Sequence, residues 1–278
     1  MNAADHSLYF PGGRTGLLLI HGLGGTPLEL RFVAMRLARA GHTVYCPQLA
    51  GHCGGYEDLR ATGWRDWHGS VQKAHARLQQ ECATIIVGGL SMGAVLALHL
   101  AAENPADVHG LALFAPTLWL DGWGMPWYSG LFGLVTQKWC ADLFVFAERD
   151  PYGIKDARVR ALVADAINGG DSSQAGQLCN PGSTMLELRW LAKTVRREVG
   201  RIRQPSLILH PRHDDRASLQ NAIYLQKRLG GRVETIVLDD SYHVITLDRQ
   251  RDIVVERTDH FARSIGRVGP RQGNASDE

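Results

Sequence analysis

Six short runs of this chain are rich in aliphatic and β-branched residues: 16–20 (GLLLI), 43–47 (TVYCP), 84–88 (TIIVG), 110–115 (GLALFA), 206–210 (SLILH) and 233–238 (VETIVL). Most are apolar throughout. A strand with one wet face alternates apolar and polar side chains, so a strand that does not alternate must be covered on both faces, as in a parallel sheet. Segments of helical period separate the runs. Trp64, Trp67, Val71, Ala74 and Leu78 recur every three or four residues, marking one buried helix face. Thr26-Pro27-Leu28-Glu29 reads as an N-cap, a proline at the first helical position and a capping-box Glu, opening a helix that should run to about Ala40. Residues 91–104 are apolar nearly all round, which predicts a central helix. Strand–helix alternation of this kind specifies an α/β fold with a doubly wound, mostly parallel sheet.

One interval breaks the alternation. Between Ala115 and Ser206 lie about 90 residues, far more than one crossover helix needs. Trp119, Trp123, Trp127 and Trp139 lie in their first part. We expect an α/β core from 1–116 and 197–265, a mostly helical cap inserted at 117–196 over the C-terminal edge of the sheet, and a disordered polar tail at 266–278.

Position gives chemical meaning to Gly89-Leu90-Ser91-Met92-Gly93. This G-x-S-x-G motif follows an apolar strand directly and opens an apolar helix directly. A strand-to-helix turn that sharp holds its serine in a strained conformation and needs small flanking residues. It also points the hydroxyl at a helix N-terminus, where developing negative charge is favoured. A serine hydroxyl is a poor nucleophile without a base. Of the twelve histidines, His243 follows the last strand by a short loop, which returns to the sheet edge expected to carry Ser91. Asp214, after the preceding strand, is the candidate acid; Asp215 is the alternative, with Asp239 and Asp240 weaker ones. His210 and His213 read as loop residues. The order Ser91, Asp214, His243 is that of an α/β-hydrolase triad.

His21-Gly22-Leu23-Gly24-Gly25 follows the first apolar strand, and its small residues let backbone N–H groups converge. The N–H groups of Leu23 and Met92 are the expected oxyanion donors. A dinucleotide loop would want an acidic residue about 20 positions on; the chain has Pro47 and Gln48 there. No cofactor and no metal are expected. A net charge of +2 gives no reason to expect a nucleic-acid partner. The five cysteines show no CxxC spacing and read as inert thiols of a reducing compartment. The N-terminus lacks a basic region followed by an apolar run, and no apolar stretch is long enough to span a bilayer. A cytoplasmic location is expected.

HGLGG (21–25), GLSMG (89–93), the aspartate loop at 210–216 and SYHVITLD (241–248) resemble the bacterial carboxylesterase and monoacylglycerol-lipase branch of the α/β-hydrolase superfamily. The likeness covers about residues 15–115 and 203–262. It implies the α/β-hydrolase fold, with the nucleophile at Ser91, the acid at Asp214, the base at His243 and the oxyanion donors at Leu23 and Met92. The expected activity is carboxylester hydrolysis through an acyl-enzyme. The substrate is then a small ester with an apolar acyl or aryl group, contacted by Trp119, Trp123, Trp127 and Tyr242. A thioesterase, an amidase or a carbon–carbon bond hydrolase would use the same residues. A binding protein on a dead hydrolase scaffold would have no need to keep all three.

Overall fold

A computed structural model describes residues 5–125, 127–169, 173, 176–177 and 179–268. In chain order its elements begin with β1 (Leu8–Phe10), β2 (Gly13–Ile20), α1 (Arg31–Arg39), β3 (His42–Cys46), α2 (Tyr56–Arg60) and α3 (Trp64–Glu81). Next come β4 (Thr84–Leu90), α4 (Met92–Glu103) and β5 (Gly110–Phe114). The insertion contributes α5 (Lys138–Ala141), β6 (Val145–Ala147), α6 (Ala157–Asn168) and β7 (Cys179–Pro181), and α7 (Gly182–Glu198) follows. The chain closes with β8 (Ser206–Pro211), α8 (Gln220–Arg228), β9 (Val233–Leu238) and α9 (Arg251–Val268).

Among the described residues, seven strands form one sheet in the order β1-β3-β2-β4-β5-β8-β9. Only β1 runs antiparallel, at the edge against β3. β2 shows why the strands read as unbroken apolar runs. Leu18 and Ile20 join the core that includes α3, α4, α7 and α8, whereas Leu17 and Leu19 join the core beneath α1 and α9. Both faces are covered, so alternation disappears. This is the α/β-hydrolase architecture expected from the sequence.

Three expectations need correction. Residues 182–196, assigned to the cap, belong to α7, whose Leu188, Leu191, Ala192 and Val195 pack into the core shared with α3 and α4. The insertion is also less helical than expected, because β6 pairs antiparallel with β7. Finally, Thr26 does not open a single helix. Its Oγ1 accepts from Leu28 N at 3.2 Å and caps a 3-10 turn over Pro27–Leu30, after which α1 begins. Glu29 makes no capping box; its carboxylate accepts from Gly22 N at 3.2 Å instead. α9 extends to Val268, and the rest of the expected tail lies outside the described residues. No described helix is long and apolar enough to cross a membrane.

Candidate active site

The two glycines around Ser91 are required by the backbone of β2. A Cβ on Gly89 would lie 2.2 Å, and one on Gly93 2.0 Å, from the Ile20 carbonyl oxygen. Ser91, wedged between them, takes φ 56° and ψ −115°, a conformation that non-glycine residues rarely adopt. Its N–H donates to Phe114 O at 2.9 Å, which ties the turn to the end of β5.

At Gly24 and Gly25 a neighbour fills the space of a side chain, whereas Gly22 makes only ordinary contact. A Cβ on Gly22 would lie 3.7 Å from the Cβ of Ser91, so this loop sits against the serine. Gly24, at φ +69°, would drive its Cβ to 2.2 Å from Asn180 Oδ1, and a Cβ on Gly25 would meet Glu29 Oε1 at 2.1 Å. Gly25 thus leaves room for the Glu29 carboxyl. Burial pushes that carboxyl up to about 7, against the opposing hydrogen bond from Gly22 N–H. His21 is neutral, lowered to about 3 by burial and by the neighbouring His52. Its Nδ1 donates to Gly22 O at 2.9 Å, and its Nε2 accepts from Leu49 N at 3.3 Å. Among the described residues, neither Leu23 N–H nor Met92 N–H is taken by a protein acceptor.

β8 and β9 lead into the loops that carry Asp214 and His243. His243 Nδ1 lies 2.8 Å from Asp214 Oδ2 and 3.0 Å from Oδ1. Asp214 Oδ1 also accepts from Arg216 N (2.7 Å) and Ala217 N (2.9 Å). Burial alone would raise this carboxyl; the imidazole charge and hydrogen bond beside it hold it below the usual carboxylate range. The converse holds for His243. Burial alone would lower it, and Asp214, with a further contribution from Asp215, holds it above the usual histidine value. Asp215 does not touch the imidazole; its Oδ1 accepts from His243 backbone N at 3.3 Å.

Ser91, His243, Gly22, Leu23 and Asp215 line one cavity of about 690 Å³. Within it the Ser91 hydroxyl bonds Thr117 Oγ1 at 3.1 Å. Thr117 Oγ1 in turn donates to Ala115 O at 3.1 Å, so the proton shared with the serine is the serine's own. Nothing in the sequence pointed to Thr117. Asp248, the last residue of SYHVITLD, is a second positioning group without an assigned role. Its buried carboxylate accepts from Tyr242 N (2.7 Å), Lys155 N and Asp156 N (both 2.9 Å), joining the His243 loop to the insertion.

Trp119, Trp123 and Tyr242, three of the expected aromatic contacts, do not line this cavity. Trp119 turns its indole N–H to Asp121 and packs edge-on against Tyr224. Trp123, 59% exposed, donates to His213 O and packs against Tyr242. These indoles brace loops from outside. The Trp127 side chain lies outside the described residues. The apolar lining comes instead from residues such as Leu120, Phe132, Phe144, Phe146, Ile154 and Val244. The cavity's acidic groups are partnered. Glu148 is held low by a bidentate ion pair with Arg216 against the opposing effect of burial, and Asp150 pairs with Arg160 at 3.4 Å.

The family of serine aminopeptidases S33 matches residues 13–250. A thermostable monoacylglycerol lipase of Bacillus sp. (strain H-257) is 30% identical over 260 residues, covering 93% of this chain and 94% of that protein. A carboxylesterase of Bacillus subtilis (strain 168) is 25% identical over 258 residues, 92% and 95% of the two chains. Among solved structures, one described with the metagenome-derived lipolytic enzymes LipS and LipT superposes with a TM-score of 0.80 at 26% identity, covering 93% of this chain and 97% of that one. A soluble variant of monoglyceride lipase from Saccharomyces cerevisiae shares the fold at a TM-score of 0.73 and 15% identity, over 95% and 92% of the two chains.

Proposed function

We propose that this chain, which belongs to the serine aminopeptidase S33 family of α/β hydrolases, cleaves carboxylic esters of apolar acyl chains with Ser91 as nucleophile, His243 as base and Asp214 as orienting acid. One observation carries this reading. A strained serine at the head of a buried helix shares a cavity with an imidazole whose far nitrogen is locked onto a buried carboxylate. That lock puts a proton on His243 Nδ1 and leaves Nε2 free to take the proton of Ser91.

The steps follow from these atoms. Ser91 leaves Thr117, passes its proton to His243 Nε2 and attacks the ester carbonyl. The oxyanion accepts from Leu23 N–H and Met92 N–H. His243 then protonates the departing alcohol and activates the water that releases the acid from Ser91. We read residues 117–181 as the cap that encloses the acyl chain, with its phenylalanine and aliphatic side chains as the apolar wall. A cavity of about 690 Å³ lies in the range of small-ligand sites. Monoacylglycerols, the substrates in the names of two relatives, fit an apolar chain with one accessible ester.

Aminopeptidase action, suggested by the family description, is disfavoured by a specific observation. Glu148 is committed to a bidentate pair with Arg216, and the rest of the wall is largely apolar, which suits an acyl chain better than a substrate ammonium. The test is turnover of p-nitrophenyl esters and monoacylglycerols, beside thioester and aminoacyl-amide panels. It is paired with fluorophosphonate labelling read by mass spectrometry. The label on Ser91 and loss of ester turnover in Ser91→Ala are expected; wild-type turnover by that variant refutes the assignment, and amide turnover exceeding ester turnover refutes the reaction class.

A further inference from the structure

A second cluster of polar side chains lies on the helical layer flanking the sheet, built from three helices. His68 comes from α3, His99 and Glu103 sit one turn apart on α4, and Glu198 ends α7. The imidazoles are buried, at 6% and 5% exposure, while the Glu103 side chain is 42% exposed. His68 Nε2 is 2.6 Å from Glu103 Oε2, and His99 Nε2 is 3.5 Å from Glu103 Oε1. One ligand atom from each of the three lies within 4.8 Å of the others.

The far side of His99 determines what this cluster can hold. Its Nδ1 bonds Glu198 Oε2 at 2.8 Å, so in the neutral ring Nδ1 carries the proton and Nε2 presents a lone pair. In that tautomer the lone pair is directed at the Glu103 carboxylate, a juxtaposition that a cation between them would make favourable. An imidazole held by a carboxylate on one nitrogen and directed at a ligand position by the other is the arrangement that orients metal-binding histidines. Tetrahedral ligands at 2.0–2.1 Å from a zinc ion lie about 3.3 Å apart; the two imidazoles approach different oxygens of Glu103, at 2.6 and 3.5 Å, and all three donors lie within 4.8 Å of one another, so side-chain rotation is what must bring them to that spacing.

We propose that His68 Nε2, His99 Nε2 and the Glu103 carboxylate bind a divalent transition cation, with Zn²⁺ the fitting choice for two imidazoles and one carboxylate. Glu198 fixes the His99 tautomer, and water takes the fourth position on the exposed Glu103 side. The cation fastens α3 to α4. It does not reach the candidate nucleophile, since His99 lies seven residues, about 10 Å, along α4 from Met92. The sequence does not betray this site. His68 is 31 residues from His99, and a His–Glu pair at i, i+4 is an ordinary helix face.

The experiment uses the full chain stripped of metal with a chelator, titrated with Zn²⁺ by calorimetry and with Co²⁺ by visible absorption. We expect one equivalent at micromolar affinity or tighter, Co²⁺ bands without thiolate charge transfer from the five free cysteines, and a rise of several degrees in Tm. Glu103→Gln, a part-exposed change that leaves the helix intact, should weaken binding at least about 100-fold. Glu198→Gln should weaken it about 10–100-fold, as loss of an outer partner does. Absence of saturable binding, thiolate-ligated Co²⁺, or unchanged affinity in Glu103→Gln overturns the proposal. Ester turnover with and without metal should match, which separates this test from that of the active site.

Discussion

Asp214→Asn tests the triad more sharply than removal of the nucleophile, because the surrounding hydrogen bonds dictate how the amide must sit. Two backbone donors, Arg216 N and Ala217 N, converge on Oδ1 at 2.7 and 2.9 Å. An amide nitrogen there would set donors against donors, so the asparagine oxygen must take that position and its NH₂ must replace Oδ2. That NH₂ then meets His243 Nδ1 across the shorter of its two contacts, 2.8 Å against 3.0 Å to Oδ1, and opposes the Nδ1 proton there. The imidazole can accept it only by giving up the Nδ1 proton and carrying its proton on Nε2. In that tautomer Nε2 has no lone pair for the proton of Ser91. The same change in a serine protease lowers kcat by about 10⁴. At 1.36 kcal/mol per decade, this is about 5.4 kcal/mol of transition-state stabilisation. Asp215→Asn differs, because an asparagine oxygen still accepts from His243 N; its kcat should stay within about tenfold of wild type. Both variants are assayed for kcat on a p-nitrophenyl ester, with circular dichroism and Tm to verify the fold. A folded Asp214→Asn within tenfold of wild type, or an Asp215→Asn that falls equally far, would refute the reasoning.

Two further predictions concern the same groups. Because Asp214 and Asp215 outweigh burial and raise His243, the imidazole stays protonated, and useless as a base, beyond the ordinary histidine value of 6.5; kcat/KM should rise with pH through a midpoint above 6.5, and Asp215→Asn should move it down. A midpoint at or below 6.5, or an upward shift in that variant, contradicts this. Thr117→Val keeps the side chain's shape but removes the resting partner of Ser91; losing a hydrogen bond worth about 1 kcal/mol from the ground state should raise kcat by up to about fivefold. A fall of tenfold or more in stopped-flow acylation would mean that the threonine holds the serine ready for attack.

The sheet was legible because its code is local. Each parallel strand buried on both faces is a run of apolar residues, and every such run became a strand of the main sheet. β1 was not legible, since a three-residue antiparallel edge strand, half-buried, has no periodicity to read. The serine turn was legible because Gly89 and Gly93 answer to one carbonyl, that of Ile20, and leave a sequence signature. Glu29 was misread for a physical reason. A glutamate three residues after a threonine satisfies the capping-box spacing, but the nearby Gly22 N–H, brought close by the loop, competes for its carboxylate. Trp119 and Trp123 were misread because an indole serves loop bracing as well as substrate contact, and composition cannot distinguish the two.

What the sequence concealed most completely is that the insertion and the loops carrying Asp214 and His243 form one hydrogen-bonded unit. Gly122 N and Gly124 N donate to Arg216 O and Asp215 O, both at 2.9 Å, beside Asp214. Val244 N donates to Gly153 O at 2.8 Å beside His243, and the Asp248 carboxylate binds backbone N–H groups from both sides. Glu148, at the end of β6, clamps Arg216 through two bonds. These contacts link residues tens of positions apart, so no window of sequence contains them. They also constrain what substitutions in the insertion can do. An acyl-pocket change at Leu120 or Phe132 is remote from these bonds, whereas a change at Glu148, Gly153 or Lys155 acts on the frame that sets Asp214 against His243. Under the proposed triad, substrate preference can vary on the apolar wall, and the proton path is protected only where the insertion's backbone grips the two loops.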